Sequence, residues 1–488
     1  MPLKAQCFGG FINILLICQS RNSMDMSNYY QIEPGTAFQR NTERFPRNHV
    51  KFSPILKALH LVDWVYKLFG KNAFMMSKSM LKEFDSAAQF DWHQGSKQEI
   101  LQLRTLVASY CRGIDHNAFI SSIGRYLLKT MGRNMLKNRK MVLRFYDNNQ
   151  AFINTNGKFI GPVVITGSGR SGTTLLQRLI SEDPNTRSPF TYELEIPLPP
   201  LDANTDPLCD RRIKKSSAGI KTLQKLAPGF MEKFAESHFW SATELEESLV
   251  YAEAHNGLNE MNGLTAGRAH LEDFLNIEDK RSLFRYEKLF YTMLDAYASN
   301  HSHWTLKAPD YALFFPLVFE EFQDAKVILT HRNPLVTLPS LCRLWESWSI
   351  AFDKDSTFDK HQFGQFVKLF QDKYITVPLK FRQKHPEYEK SIFDCVYDEF
   401  FTDPIGIVQK IYKKFDLEYT DEFEERMTIY LQNNQQGKYG RHKYSLDEYG
   451  FVKEDLYLEY KEYMDLYGFG IPEKLERPSS FNFLKTRS

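Results

Sequence analysis

This 488-residue chain has no C-x-x-C pair, no run of apolar residues long enough to span a bilayer, and almost no net charge. Each absence narrows what the chain can be. Its six cysteines stand far apart, at 7, 18, 111, 209, 342 and 395, and neither Cys nor His clusters at zinc spacings. A reduced compartment and no structural metal are the expectation. A net charge of +2 gives no bulk electrostatic reason to expect a nucleic-acid partner. The apolar stretch CFGGFINILLIC near the amino terminus runs for about a dozen residues against the roughly 20 a spanning helix needs. Lys4 precedes it as in a signal peptide, but no small-x-small cleavage site follows. The expectation is no integral membrane span and a cytoplasmic location, with a Golgi or secretory location left open. No internal repeat or low-complexity linker is visible.

What the chain does have is ordinary hydrophobic content, 42%, and a high aromatic share, 14%, with 39 Phe and 25 Tyr. That share suits a large core or an apolar substrate cleft. Residues 1–50 read as an irregular leader and 51–150 as a helical N-terminal region, where ALHLVDWVYKLFG, SKQEILQLRTLVASYC and NAFISSIGRYLLKTMG carry helical periodicity. Asn154, Asn156 and Gly157 suggest a turn into a strand at Pro162–Thr166. Strands and helices then alternate over 151–475. Trp304–Leu306, AKVILTHR at 325–332 and about 391–397 read as strands, and Pro404 opens a helix with Asp403 as cap. Such alternation predicts an α/β fold, a parallel sheet with helices on both faces plus a helical N-terminal extension. The stretch from about 205 to 290 reads as helical, with Gly219 and Gly229 as possible breaks.

One segment, GPVVITGSGRSGTTLLQRLI from Gly161 to Ile180, has the outline of a phosphate-binding loop. Gly167 and Gly172 occupy the two glycine positions and Thr174 the final Ser/Thr position. The lysine that normally reaches the outer phosphates is absent, and Thr173 stands in its place. Backbone N–H groups from Ser171 to Thr174 at a helix start make an anion site, and Arg170 adds a guanidinium. Without the lysine, a ligand bearing a single charged group at its 5′ end suits the loop better than a triphosphate. In HRNPLVTLPSL, Arg332 stands at the carboxyl end of a strand and Ser340 eight residues later on the next helix. Such a pair at the sheet edge can hold a second phosphate.

Together, G-x-G-R-S-G-T-T-L-L and R-x-P-x5-S resemble the 5′-phosphosulfate and 3′-phosphate loops of the PAPS-dependent sulfotransferase superfamily, a P-loop fold. PAPS is 3′-phosphoadenosine 5′-phosphosulfate. DPNTRSPFTYELEIPLPP, HWTLKAPDYALFF, FTDPIGIVQKIY and GKYGRHKYSLDEYG are similar to motifs of a long single-chain branch that includes bacterial lipid- and small-molecule-modifying enzymes. The resemblance runs from about residue 80 to about 470. It assigns Arg170, Ser171, Gly172, Thr173 and Thr174 to the 5′-phosphosulfate, Arg332 and Ser340 to the 3′-phosphate, and Lys438 and Arg441 to a basic loop over the nucleotide. It makes 151–475 the catalytic domain, with about 205–290 as the substrate lid.

The implied reaction moves a sulfuryl group from PAPS as co-substrate to a hydroxyl of a small-molecule or lipid alcohol, in line and without a metal. Arg170 and Lys307 are candidates to stabilise charge at the transferring group. Glu193, taken to end a second strand, is the first choice for the base, with His303 and Glu195 as rivals. Two readings of other classes stay open: a P-loop kinase or NTPase, and a nucleotide-binding protein that has lost turnover.

Overall fold

The computed structural model describes residues 73–472 and a few residues between 61 and 68. Within that range, 118–119, 203–204, 228–229, 231–233, 235–237, 259–266, 277–278, 299–300, 350–351, 353–358 and 435–444 are excepted. The expected parallel sheet is present. Its five strands are β1 (Val163–Gly167), β2 (Thr186–Arg187), β3 (His303–Lys307), β4 (Lys326–His331) and β5 (Ile392–Val396), ordered β2-β3-β1-β4-β5. Every pairing is parallel. The central strand VVITG is buried at all five positions, as a strand covered on both faces must be.

β1 lies between β3 and β4, which the chain reaches by crossing from one side of the sheet to the other. A crevice therefore opens beyond the carboxyl ends of β1 and β4, the position at which open α/β sheets take ligands. Two apolar layers flank the sheet. One, with Ile165, Leu176, Ile328 and Ile411, lies under the loop helix. The other is continuous from Met80 and Leu128 in the N-terminal helices through Val164 and Leu306 to Tyr463.

The N-terminal region is helical as expected, with helix Ser77–Asp85 packed against both Lys97–His116 and Ser122–Asn148. Ser96 starts the second of these by accepting from Glu99 N at 3.3 Å, while the Glu99 carboxylate accepts from Ser96 N at 2.5 Å, a reciprocal cap. Three local expectations are corrected. Asn154 and Asn156 lie inside a helix, Gln150–Asn156, not a turn. Gly219 does not break its helix, which runs uninterrupted over Arg211–Leu226. The second strand ends at Arg187, and Glu193 sits in a short helix, Thr191–Glu195. The proline at 189 and the tight packing of 190–192 against the chain at 242–246 replace strand pairing there. Gly229 lies outside the described residues.

Candidate active site

The loop after β1 is shaped by three residues with positive φ: Gly167 at 133°, Arg170 at 73° and Gly172 at 91°. Glycine is required at the first by space as well as by angle, since a Cβ there lies 2.4 Å from the Thr330 carbonyl oxygen of β4. The loop is then pinned from within. Ser171 Oγ donates to the Ser168 carbonyl at 2.5 Å and meets Thr330 Oγ1 at 2.6 Å. Ser168 Oγ donates to Gln371 Oε1 at 2.5 Å. The Ser171 hydroxyl is thus a brace of the loop, and what Ser171 offers an anion is its backbone N–H.

The helix that follows, Thr173–Ile180, has Gly172 as its N-cap residue and no side-chain cap bond among the described residues. Its first N–H groups have no carbonyl partner within the helix. With the helix dipole they favour an anion at this end. Thr173 and Thr174 face the same cavity as Gly169, Arg170, Gly172 and Arg332.

The two sequence motifs meet directly. Arg170 Nε donates to Ser340 Oγ at 3.1 Å, and Arg332 Nη1 donates to the Arg170 carbonyl at 2.7 Å. Arg332 is buried, and its guanidinium lies 3.9 Å over the Tyr397 ring. Residues 162 positions apart therefore build one cationic corner. It is oriented by stacking and hydrogen bonds, as a guanidinium used for oxyanion recognition is. Lys438 and Arg441 lie outside the described residues.

The expected acid, base and cation divide differently. Glu193 is buried but does not line the cavity; its carboxylate accepts from Arg187 Nη2 at 2.7 Å and from Phe190 N at 3.2 Å, with Arg212 at 3.9 Å. His303 is not brought to the site. β1 and β3 pair Val163 with Thr305 and Ile165 with Lys307, so His303 stands at the amino end of the sheet. At the rise of a strand that is about 20 Å below the loop. Burial pushes its imidazole down to about 4. Lys307 is at the carboxyl end of β3, fully buried, and its Nζ donates to Glu247 Oε1 at 2.9 Å. Glu247 lines the cavity and Lys307 stands behind it.

Four carboxylates do face the cavity: Glu195, Glu244, Glu246 and Glu247. Three have basic side chains as partners. Glu244 is held by Arg178, Glu246 by His238 at 3.1 Å, and Glu247 by Lys307. Burial opposes ionisation of Glu246, but His238 and then Lys307 outweigh it and lower its pKa. Glu195 accepts from Ser216 Oγ at 2.5 Å. Burial pushes its carboxyl up to about 7, the Ser216 bond opposing and the nearby Glu246 charge adding to the rise. The sequence T-E-L-E-E at 243–247 carries these acids just before the helix Ser248–His255. An acidic run there reads as a favourable helix start, so only the docking of 242–246 against 189–192 reveals it as a cavity wall.

The cavity has a volume of about 1510 Å³, above the usual range of ligand pockets, roughly 300–1,000 Å³. Beyond the loop and the carboxylates it continues between the N-terminal helices and the 205–290 segment. This limb is lined by Leu127, Met131 and Met135 on one side and by Leu223, Phe234 and Trp240 on the other. Trp348 closes its floor, edge-on to Phe230 at 5.4 Å and tilted on Phe234 at 5.2 Å.

Comparison with known proteins gives a consistent picture. The model of the Sulfotransferase family matches residues 162–421. An omega-hydroxy-beta-dihydromenaquinone-9 sulfotransferase of Mycobacterium tuberculosis is 22% identical over 332 residues, 63% of this chain and 75% of its own length. Its Mycobacterium bovis counterpart matches to the same degree. Among solved structures, sulfotransferase STF9 from Mycobacterium avium superposes with a TM-score of 0.67 at 22% identity, covering 80% of this chain and 96% of its own. STF1 from Mycobacterium tuberculosis H37Rv gives 0.60 at 20% identity, covering 83% and 98%. These structural likenesses show a shared fold.

Proposed function

The chain belongs to the sulfotransferase family, and from that premise we propose that it transfers the sulfuryl group of PAPS to the hydroxyl of an apolar alcohol. The convergence of Arg170, Arg332 and Ser340 at the carboxyl ends of β1 and β4 carries the donor half of this reading. A loop with helix-start amides and an arginine, but no lysine, suits one sulfated 5′-phosphate. Arg332 and Ser340 supply the side of the same cationic corner that takes the 3′-phosphate. Among the described residues no His, Cys, Asp or Glu cluster has metal-binding geometry, and neither half of the reading calls for one.

PAPS supplies the activated sulfuryl group when bound. The chain's own groups do the rest. Glu195, the cavity carboxyl poised near neutral pH, accepts the proton of the acceptor hydroxyl as its oxygen forms the new bond to sulfur. Arg170 and the amides at the start of Thr173–Ile180 stabilise the charge left on the departing phosphate. Lys307 acts from behind, through Glu247. Glu195 is preferred to Glu193 because the arginine-bound Glu193 carboxylate does not line the cavity.

The apolar limb supports the acceptor half: its leucine, methionine and aromatic lining accommodates a long hydrocarbon with a hydroxyl at one end. The mycobacterial relatives are named for a hydroxylated menaquinone, an acceptor of that class. The test is a thermal-melt titration with 3′,5′-ADP and with Mg-ATP, on wild type and Arg332→Ala. Stabilisation by 3′,5′-ADP alone, lost in Arg332→Ala, is expected; stabilisation by Mg-ATP instead overturns the donor assignment.

A further inference from the structure

One feature plays no part in that chemistry. Residues 61, 62, 64–66 and 68 are helical, and the apolar side chains on them face solvent: Leu61 is 60% exposed, Trp64 57% and Leu68 64%, with Val62, Val65 and Tyr66 also exposed. Six large apolar side chains in eight positions, all outward, reverse the pattern of a core-facing helix. In the sequence, Lys57, His60, Asp63, Lys67 and Lys71 recur three or four apart.

Charge narrows the surface this fits. From Arg40 to Lys71 there are seven Lys and Arg against two Asp and Glu. A wide apolar face carrying Trp and Tyr, within a basic segment, is the chemistry of a helix lying in the plane of an anionic lipid surface. No helix among the described residues is long and apolar enough to cross a membrane, so the contact is with the interface.

Position adds a further argument. Lys129 Nζ donates to the Met75 carbonyl at 2.8 Å, seven residues after Leu68, a span of at most about 25 Å. Lys129 belongs to the Ser122–Asn148 helix. Its neighbours Tyr126, Thr130 and Met131 line the cavity. The apolar helix is thus tethered to the wall of the acceptor limb.

We propose that this helix docks the protein on an anionic lipid surface, with Leu61, Trp64, Tyr66 and Leu68 in the headgroup layer and neighbouring lysines and arginines on the lipid charges. The docking stands apart from the donor and acceptor assignments and is read by a different assay. Full-length protein is floated with vesicles of phosphatidylcholine alone and with vesicles containing about a third phosphatidylserine, at low and high salt. Wild type is expected to bind the anionic vesicles at least about tenfold better than the neutral ones, less so at high salt. The triple variant Leu61→Glu, Trp64→Glu, Leu68→Glu is expected to lose that binding while keeping the wild-type melting temperature without ligand.

Equal flotation of variant and wild type, or no flotation of wild type, overturns the proposal. So does a wild type that is dimeric without lipid beside a monomeric variant, because the face then pairs two copies. Failure of 3′,5′-ADP to stabilise either protein removes the donor assignment and leaves the docking result as measured.

Discussion

Glu244, Glu246 and Glu247 are each bonded to a basic side chain, whereas the Glu195 carboxylate accepts from the Ser216 hydroxyl and has its pKa pushed up to about 7. On the proposed reading, that difference makes Glu195 the acid to test as the proton acceptor. Glu195→Gln is expected to lower kcat about 10²- to 10⁴-fold and to leave 3′,5′-ADP binding unchanged. In wild type, kcat/KM should rise with pH through about 7 as Glu195 ionises, and the variant's residual rate should lack that limb. Stability moves the other way. The folded pKa lies above the unfolded one, so the stabilising contribution is full below about 4.5 and lost as pH rises through about 7. Glu195→Gln should therefore melt higher than wild type at pH 8, by on the order of 2 kcal/mol, and no higher at pH 4; melts at both values check this. Arg332→Lys should not restore 3′,5′-ADP binding, because an ammonium can neither stack on Tyr397 as the planar group does nor reproduce its fork of donors.

The loop and the strand ends carry the next level of constraint. Gly167→Ala places a Cβ against the Thr330 backbone at a φ few side chains adopt. A loss of at least about 2 kcal/mol and of 3′,5′-ADP binding is expected, read by melts with and without nucleotide. In the middle of β5, Asp394 accepts from Arg382 Nη1 at 2.7 Å and meets His331 Nε2, also at 2.7 Å. Burial raises its pKa, but the bonds to His331 and Arg382 outweigh that and hold it well below the usual range. This brace, adjacent to Arg332, is present above about pH 4 and weakens as pH falls below it. Asp394→Asn should cost about 1–3 kcal/mol at pH 7 and less at pH 3, measured by denaturant unfolding.

These elements were legible in the sequence because their determinants are local. A short buried run ended by glycine, a proline after an aspartate cap and a spaced-glycine loop each declare themselves within ten residues. Glu193 was misplaced for the opposite reason. The residues that decide its surroundings, Arg187 and Arg212, belong to a strand end and to the helix Arg211–Leu226, and no local pattern shows that they meet.

The whole molecule encloses the apolar limb of the cavity by laying the N-terminal helices opposite the 205–290 segment. Sequence periodicity revealed both walls but not the space between them, since a limb lined by Leu, Met, Phe and Trp has the composition of a core. Only the assembled fold leaves it empty. Trp348→Ala, by widening the floor of that limb, should raise KM for a long-chain alcohol at least about tenfold while leaving 3′,5′-ADP stabilisation intact. A screen of alcohols of increasing chain length, run on both proteins, measures it.

The hydrogen bond from Arg332 to the Arg170 carbonyl makes the two arginines of the proposed donor site a single mechanical unit. A donor lacking its 3′-phosphate then suffers more than the loss of one contact. Arg332 no longer holds the anion assigned to it, and Arg170, whose carbonyl accepts from Arg332 and whose Nε reaches Ser340, is positioned differently against the 5′ group. Discrimination against such a truncated donor should therefore be written in turnover as well as in affinity. Adenosine 5′-phosphosulfate, even at saturation, should fill the site and react slowly, like a key that enters a lock and does not turn it.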